Sequence, residues 1–203
     1  MRRLPFNENH EILAALNLAV EVLGDGGVAV VPTESYYGLA ADPRRERSVR
    51  AIHALKGRPA DLGLPVVCAD WQQLEELVVV PERFRVKLSR IWPAALTVIL
   101  PAREAIPAAK GLTLAVRIPD HSGLRSLLYR IGPMTGTSAN GHGKPPCVTI
   151  DDALRSLSSD PDLALDGGRT PGGEPSTLVD LTGDSPRLVR PGRVSWEEPY
   201  PEC

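Results

Sequence analysis

The clearest periodicity in the chain runs through S-V-R-A-I-H-A-L-K-G-R-P, residues 48–59. Val49, Ile52 and Leu55 fall at helical spacing, and Gly57 followed by Pro59 is a strong stop signal, so a helix over 47–56 is predicted. Lys56 and Arg58 then leave its end and face a loop. A different period governs G-L-T-L-A-V-R-I-P, residues 111–119, where alternation predicts a strand over 113–118 with Thr113 and Arg117 on one face. The stretch V-V-P-T-E-S-Y-Y-G-L-A-A-D opens with a β-branched run, turns at Pro32 and resumes after Gly38, which reads as a buried strand feeding a polar loop.

Extended along the chain, the same pattern predicts helices at about 8–23, 47–56, 71–77, 81–91, 121–129 and 149–157. It predicts strands at about 27–31, 64–68, 95–100, 113–118, 133–137, 162–166, 176–181 and 187–190. Helices interleave with strands of both directions, so the expected fold class is α+β, a mixed, twisted open sheet covered by helices. With 203 residues, 42% hydrophobic, and no linker or charge block, the expectation is one domain over 1–203. Only T-P-G-G-E-P, 170–175, reads as a mobile loop, either solvated slack or a lid.

A net charge of −2 argues against nucleic-acid binding through a general basic excess. It leaves room for a local basic cavity in which Arg58, Arg117, Arg169 and Arg190 converge while Glu75, Glu76, Asp151 and Asp152 sit elsewhere. Cys68, Cys147 and Cys203 show neither zinc-ligand spacing nor a disulfide framework, so reduced thiols are expected. The basic N-terminus lacks the apolar run of a signal peptide and no 18-residue apolar stretch exists, so the protein is expected in the cytoplasm, away from membranes.

Several familiar chemistries are excluded. G-D-G-G-V-A-V precedes a strand instead of following one, and G-x-x-x-x-G-K-[ST] is absent, so neither a dinucleotide fingerprint nor a P-loop is present. Asp120-His121 with Ser138 lacks the G-x-S-x-G elbow of a hydrolase. His53 reads as a packed or solvated helix residue, His10 and His142 have no partner pattern, and Trp92 reads as core. Lys56 and Arg58 could simply complement a helix C-terminus, and Thr137-Ser138-Ala139-Asn140-Gly141 could be an ordinary turn. Together, however, a cationic pair and a hydroxyl-amide pair on loops suit a nucleotide phosphate: Arg offers a planar fork and Lys a compact point charge.

Eight landmarks carry a family resemblance: P-T-E-S-Y-Y-G-L (32–39), L-K-G-R-P-A-D (55–61), W-P-A-A-L-T-V-I-L (92–100), A-V-R-I-P-D-H (115–121), T-S-A-N-G-H-G-K-P-P (137–146), D-G-G (166–168), P-S-T-L-V-D-L (175–181) and L-V-R-P-G (188–192). In this order they resemble the YrdC family of threonylcarbamoyl-AMP synthases, of the short bacterial type without the further C-terminal domain of some relatives. The resemblance implies a deep concave nucleotide cavity on the sheet. It implies an enzyme that joins L-threonine, hydrogencarbonate and ATP, with Mg2+ accompanying the nucleotide and no metal held by the protein, into threonylcarbamoyl-AMP and pyrophosphate. Partner proteins would then transfer the threonylcarbamoyl group to tRNA, and the enzyme itself would be RNA-associated.

The resemblance also implies roles. Lys56 and Arg58 match the family's K-x-R and would hold phosphates and developing charge. Ser138 and Asn140 match S-x-N and would bond phosphate or ribose. Thr113 and Arg190 would approach ATP, Arg117 would take the amino-acid carboxylate, and Ser35, Thr137 and Ser176 would contact threonine. Where the family usually reads K-G-R-P-x-x-K-P-L-I-V-H, this chain has Leu62 for the second Lys, Gly63 for the Pro and Val67 for the His. Arg169 and Lys144 are candidates to replace the lost cation. These departures support a second reading, a divergent relative that binds nucleotide or RNA without threonine-dependent synthesis or that acts on another carbamate.

Overall fold

A computed structural model describes residues 1–6 and 12–196. The expected helical residues 8–11, His10 and Cys203 lie outside the described residues.

The mixed sheet is realised as two hydrogen-bonded sheets. The first has five strands in the order β1 (Arg2–Pro5), β9 (Leu163–Asp166), β2 (Ala29–Pro32), β3 (Tyr37–Ala40) and β8 (Thr137–Ser138). The second has six, in the order β11 (Arg187–Arg190), β10 (Thr177–Asp180), β5 (Leu96–Pro101), β6 (Thr113–Arg117), β4 (Val66–Val67) and β7 (Met134–Thr135). Both mix directions: β2 runs parallel to β9 and antiparallel to β3, while β5 runs parallel to β10 and antiparallel to β6.

The alternation of side chains along each strand decides where they go. Val28, Val30 and Leu39 enter one apolar cluster with Val49, Ile52 and Leu55 of α2 (Glu46–Lys56), together with Phe84 and Leu88 of α4 (Glu82–Ile91). Ala29, Val31 and Ala40, one residue out of phase, enter a second cluster beneath α1 (Ile12–Gly24) and α5 (Ser122–Ile131). The first sheet is therefore covered on both faces, which is why its strands read as continuous apolar runs. Each large side chain such as Ile52 or Leu39 removed from water here contributes roughly 1.5–3 kcal/mol before entropy is charged against it. Trp92 is in the core, edge-on to Trp71 at 5.5 Å between ring centroids, with its indole N–H donating to the carbonyl of Leu96 at 2.8 Å.

Helix ends follow sequence signals. Gly57 closes α2 at φ 58°, and the Arg58 N–H returns to the carbonyl of His53 at 2.9 Å, the Schellman-type finish that only a residue tolerant of positive φ completes cheaply. Asp70 caps α3 (Trp71–Glu75), Thr149 caps α6 (Ile150–Ser156), and His121 Nδ1 accepts from the Leu124 N–H at 3.1 Å to cap α5. His121 thus has an ordinary structural duty.

Three differences from expectation matter for the site. β3 and β1 add to the expected strands, and β3 turns the stretch after Pro32 into a hairpin, with Val31 opposite Gly38 and Thr33 Oγ1 donating to the Tyr36 carbonyl at 2.7 Å inside its turn. The strand expected at 133–137 breaks at Gly136 into β7 and β8, one in each sheet. A Cβ on Gly136 would lie 2.5 Å from Val67 Cγ1, so the backbone passes from sheet to sheet only because no side chain is there. Among the described residues, no helix is long and apolar enough to cross a membrane.

Candidate functional site

β5 and β6 present two chemically distinct faces. Val98, Leu100, Leu114 and Val116 point into the core, while Thr97, Ile99, Thr113, Ala115 and Arg117 point the other way and line a cavity of about 670 Å3. That volume is within the range of small-ligand sites, roughly 300–1,000 Å3. Ser176, Leu178 and Arg190 extend this wall across β10 and β11. The opposite wall comes from the first sheet: Thr33, Ser35 and Tyr36 of the β2–β3 turn, with Thr137, Ser138 and Asn140 around β8. Arg58, Leu62 and Gly63, from the loop after α2, close one end.

The structure brings Arg58, Thr113, Ser138, Asn140, Arg190, Ser35, Arg117, Thr137 and Ser176 to this one cavity. Lys56 is elsewhere. The residue is buried, 4% exposed, behind the 138–140 segment, its ammonium donating to the carbonyls of Ser138 and Asn140, the latter at 2.7 Å. Lys56 is therefore a brace for the hydroxyl-amide segment and not part of the cavity lining. Burial, and then the nearby Arg58 charge, lower its pKa to about 8.

Five cations line the cavity: Arg58, Lys110, Arg117, Lys144 and Arg190. No Asp or Glu among the described residues lines it with them. Arg169, expected to converge here, does not line it, whereas Lys144 does. Lys110 could not be foreseen, because it lies in a loop without pattern between β5 and β6, packed against Gly63. Glu75, Asp151 and Asp152 are occupied elsewhere, paired with Arg85, Arg3 and Arg155. A chain of net charge −2 thus concentrates positive charge in one hollow.

Individual donors are already partly spent. One Arg58 terminal nitrogen donates to the Gly63 carbonyl at 2.9 Å; its Nε is buried without a partner, and burial lowers its pKa. Asn140 Nδ2 donates to the carbonyls of Gly141 at 3.0 Å and Lys144 at 2.6 Å, which leaves Oδ1 as its buried, unpartnered atom. An amide oxygen accepts, so Asn140 suits a hydroxyl such as that of a ribose better than a phosphate oxygen. Arg190 donates to Ser176 through its carbonyl at 2.8 Å and its hydroxyl at 3.2 Å, and Thr97 Oγ1 donates to the same hydroxyl at 3.0 Å. Burial and the proximity of Arg117 lower the pKa of Arg190, as expected where two guanidinium groups share a hollow.

Two further features escape a reading of the sequence. Arg117 Nη1 donates to Glu34 Oε1 at 2.6 Å, both side chains being nearly buried at 8% and 9% exposed. Glu34 sits inside the P-T-E-S motif, but without the hairpin nothing connects it to β6. The 170–175 segment, expected to be mobile, is fastened to the β2–β3 turn: the Gly172 N–H donates to the Ser35 carbonyl at 2.7 Å, and the Tyr36 hydroxyl to that of Gly173. Arg193 ties both, reaching the Glu34 carbonyl at 2.8 Å and that of Gly172.

Residues 21–192 match the Sua5/YciO/YrdC family model, described as telomere recombination. The threonylcarbamoyl-AMP synthase of Pyrococcus abyssi is 36% identical over 188 residues, covering 90% of this chain and 55% of the relative. That of Bacillus subtilis is 37% identical over 186 residues, covering 89% and 54%. The chain therefore spans about half the length of these two relatives. The synthase of Chromobacterium violaceum, 37% identical over 173 residues, is covered to 88% of its length and covers 83% of this chain. Among solved structures, Pyrococcus abyssi Sua5 complexed with L-threonine superposes with a TM-score of 0.88 at 34% identity, over 95% of this chain and 58% of that one. Escherichia coli YciO superposes with a TM-score of 0.83 at 27% identity, over 95% and 96%.

Proposed function

The chain belongs to the Sua5/YciO/YrdC family, and from that premise we propose that it is an L-threonylcarbamoyladenylate synthase. It would form threonylcarbamoyl-AMP and pyrophosphate from L-threonine, hydrogencarbonate and ATP, as a single YrdC-like domain acting in the cytoplasm. The product would supply the proteins that modify tRNA with threonylcarbamoyladenosine. The observation that carries the reading is a cavity lined by five cations, several hydroxyls and the Asn140 amide, with no Asp or Glu in the lining among the described residues.

The reaction accumulates negative charge at every stage. The threonine amine condenses with hydrogencarbonate, losing water, to give a carbamate. A carbamate oxygen attacks the α-phosphorus of ATP, and the bond to the β-phosphate breaks to release pyrophosphate. Catalysis of such a transfer is mostly positioning and charge stabilisation. Arg58, with Lys110 and Lys144 in the same lining, would hold the triphosphate; Ser138, Asn140, Thr113 and Arg190 would orient the nucleotide; Lys56 would hold the Ser138–Asn140 segment in place. Arg117 would take the threonine carboxylate, with Ser35, Thr137 and Ser176 around the rest of the amino acid.

The cavity donors do not fit a protein-held Mg2+, which favours carboxylate and other oxygen ligands. Any Mg2+ would enter as part of the nucleotide substrate. The deciding experiment is pyrophosphate release by the purified protein with ATP, scored for dependence on both threonine and hydrogencarbonate. Dependence on both, lost in a folded Arg58→Ala variant, supports the reading. ATP binding without threonine-dependent release overturns it.

A further inference from the structure

The Glu34–Arg117 pair joins the two sheets across the cavity. Glu34 comes from the β2–β3 turn of the first sheet, Arg117 from β6 of the second, and only the guanidinium partner lines the cavity. The contact is single: Nη1 meets Oε1 at 2.6 Å, while Glu34 Oε2 is buried with no partner. A pair built for stability alone would close with two parallel bonds and satisfy both oxygens, because a buried carboxylate oxygen left without a donor is costly. Here the contact leaves the rest of the Arg117 fork for a second carboxylate in the cavity. Glu34 is itself anchored from its main chain, whose carbonyl accepts from Arg193 at 2.8 Å.

We infer that Glu34 is a positioning residue, holding Arg117 by one edge so that its remaining N–H groups face the amino-acid substrate. This deepens the proposed function and rests on it, since the substrate carboxylate is the group that Arg117 would bind. A long arginine side chain without this tether would have to be ordered by the ligand at each binding event, which weakens affinity. The effect is specific to the amino-acid end of the cavity, because Glu34 bonds to Arg117 and not to Arg58 or Asn140.

The test is calorimetric titration of threonine and, separately, of ATP into the full chain. Glu34→Gln keeps the shape and removes the charge, and it is expected to weaken threonine binding about tenfold, the order associated with one charge-assisted hydrogen bond, with a much smaller change for ATP. In an Arg117→Ala background the same change should cost threonine binding nothing further, because the tethered group is gone. If Glu34→Gln does not fold, Glu34→Asp carries the same comparison with a shorter arm. Equal losses for threonine and ATP, additive losses in the Arg117→Ala background, or tighter threonine binding overturn the inference. A wild-type protein that binds ATP but no threonine overturns the functional reading itself.

Discussion

Lys56 Nζ lies 2.7 Å from the carbonyl oxygen of Asn140 and also donates to that of Ser138, so the ammonium grips the loop from behind the cavity. The Ser138 carbonyl also accepts from the Asn140 N–H at 3.0 Å, so Lys56→Met is expected to leave the Asn140 carbonyl without its donor and the 138–140 segment loose. Turnover should fall on the order of ten- to a hundredfold, the equivalent of one charged hydrogen bond. Steady-state pyrophosphate release, with circular dichroism to verify folding, measures it. Unchanged turnover in a folded variant would refute the brace.

The same residue makes activity and stability move in opposite directions with pH. Lys56 is lowered from 10.5 to about 8 by burial and then by Arg58. Between those values the unfolded chain holds the proton and the folded protein has released it, so this group's contribution to stability increases as pH climbs through the window. The neutral amine donates more weakly to the two carbonyls, so pyrophosphate release should decline above about pH 8. A pH–rate profile run beside thermal melts over the same buffers checks both limbs. A rate that stays flat across that whole window would contradict the account.

Leu62 lines the cavity where the motif resemblance implies a second lysine. Leu62→Lys adds a cation beside Arg58, in a cavity that Lys110 and Lys144 already line. ATP binding is expected to tighten, by less than about tenfold because the existing cations already neutralise part of the phosphate charge, and to become more salt-dependent. ATP titrations at low and physiological salt read this directly. Weaker ATP binding would mean that Leu62 faces another part of the ligand.

Gly136 has no room for a side chain, since its Cβ would meet Val67 Cγ1 at 2.5 Å. Gly136→Ala should destabilise the fold by about 1–3 kcal/mol through overpacking. Adding Val67→Ala should restore most of the loss, because the two groups contend for one space. Chemical denaturation of both single variants and the double variant supplies the comparison. Additive destabilisation would show that the strain lies in the backbone of 136 instead.

What the sequence discloses, and what it does not, follows from the range of each interaction. Gly57 and Pro59 end α2 through local rules, so the spacing of these two residues is enough to aim Arg58 at a loop. Period-two spacing puts Thr113 and Arg117 on one face, the face that lines the cavity. Where the partner is remote, the pattern is silent. The direction of Lys56 is set by carbonyls more than eighty residues away. G-L-A at 38–40 is too short and too small to announce a strand; its pairing with β2 makes it one. Gly136 reads as a strand interior, and only the presence of two sheets makes it a crossing point.

The cavity wall begins at Thr33 and is completed by Arg190. During synthesis the hairpin, α2 and the β5–β6 pair leave the ribosome well before β10 and β11, and β10 is the parallel neighbour that β5 requires. A nascent chain halted before Thr177 would therefore expose the β5 edge and lack Arg190, the last cation of the cavity lining. Contacts of such long separation form late, so ligand-binding competence arrives only once β10 and β11 have emerged, in one step with the sealing of the second sheet.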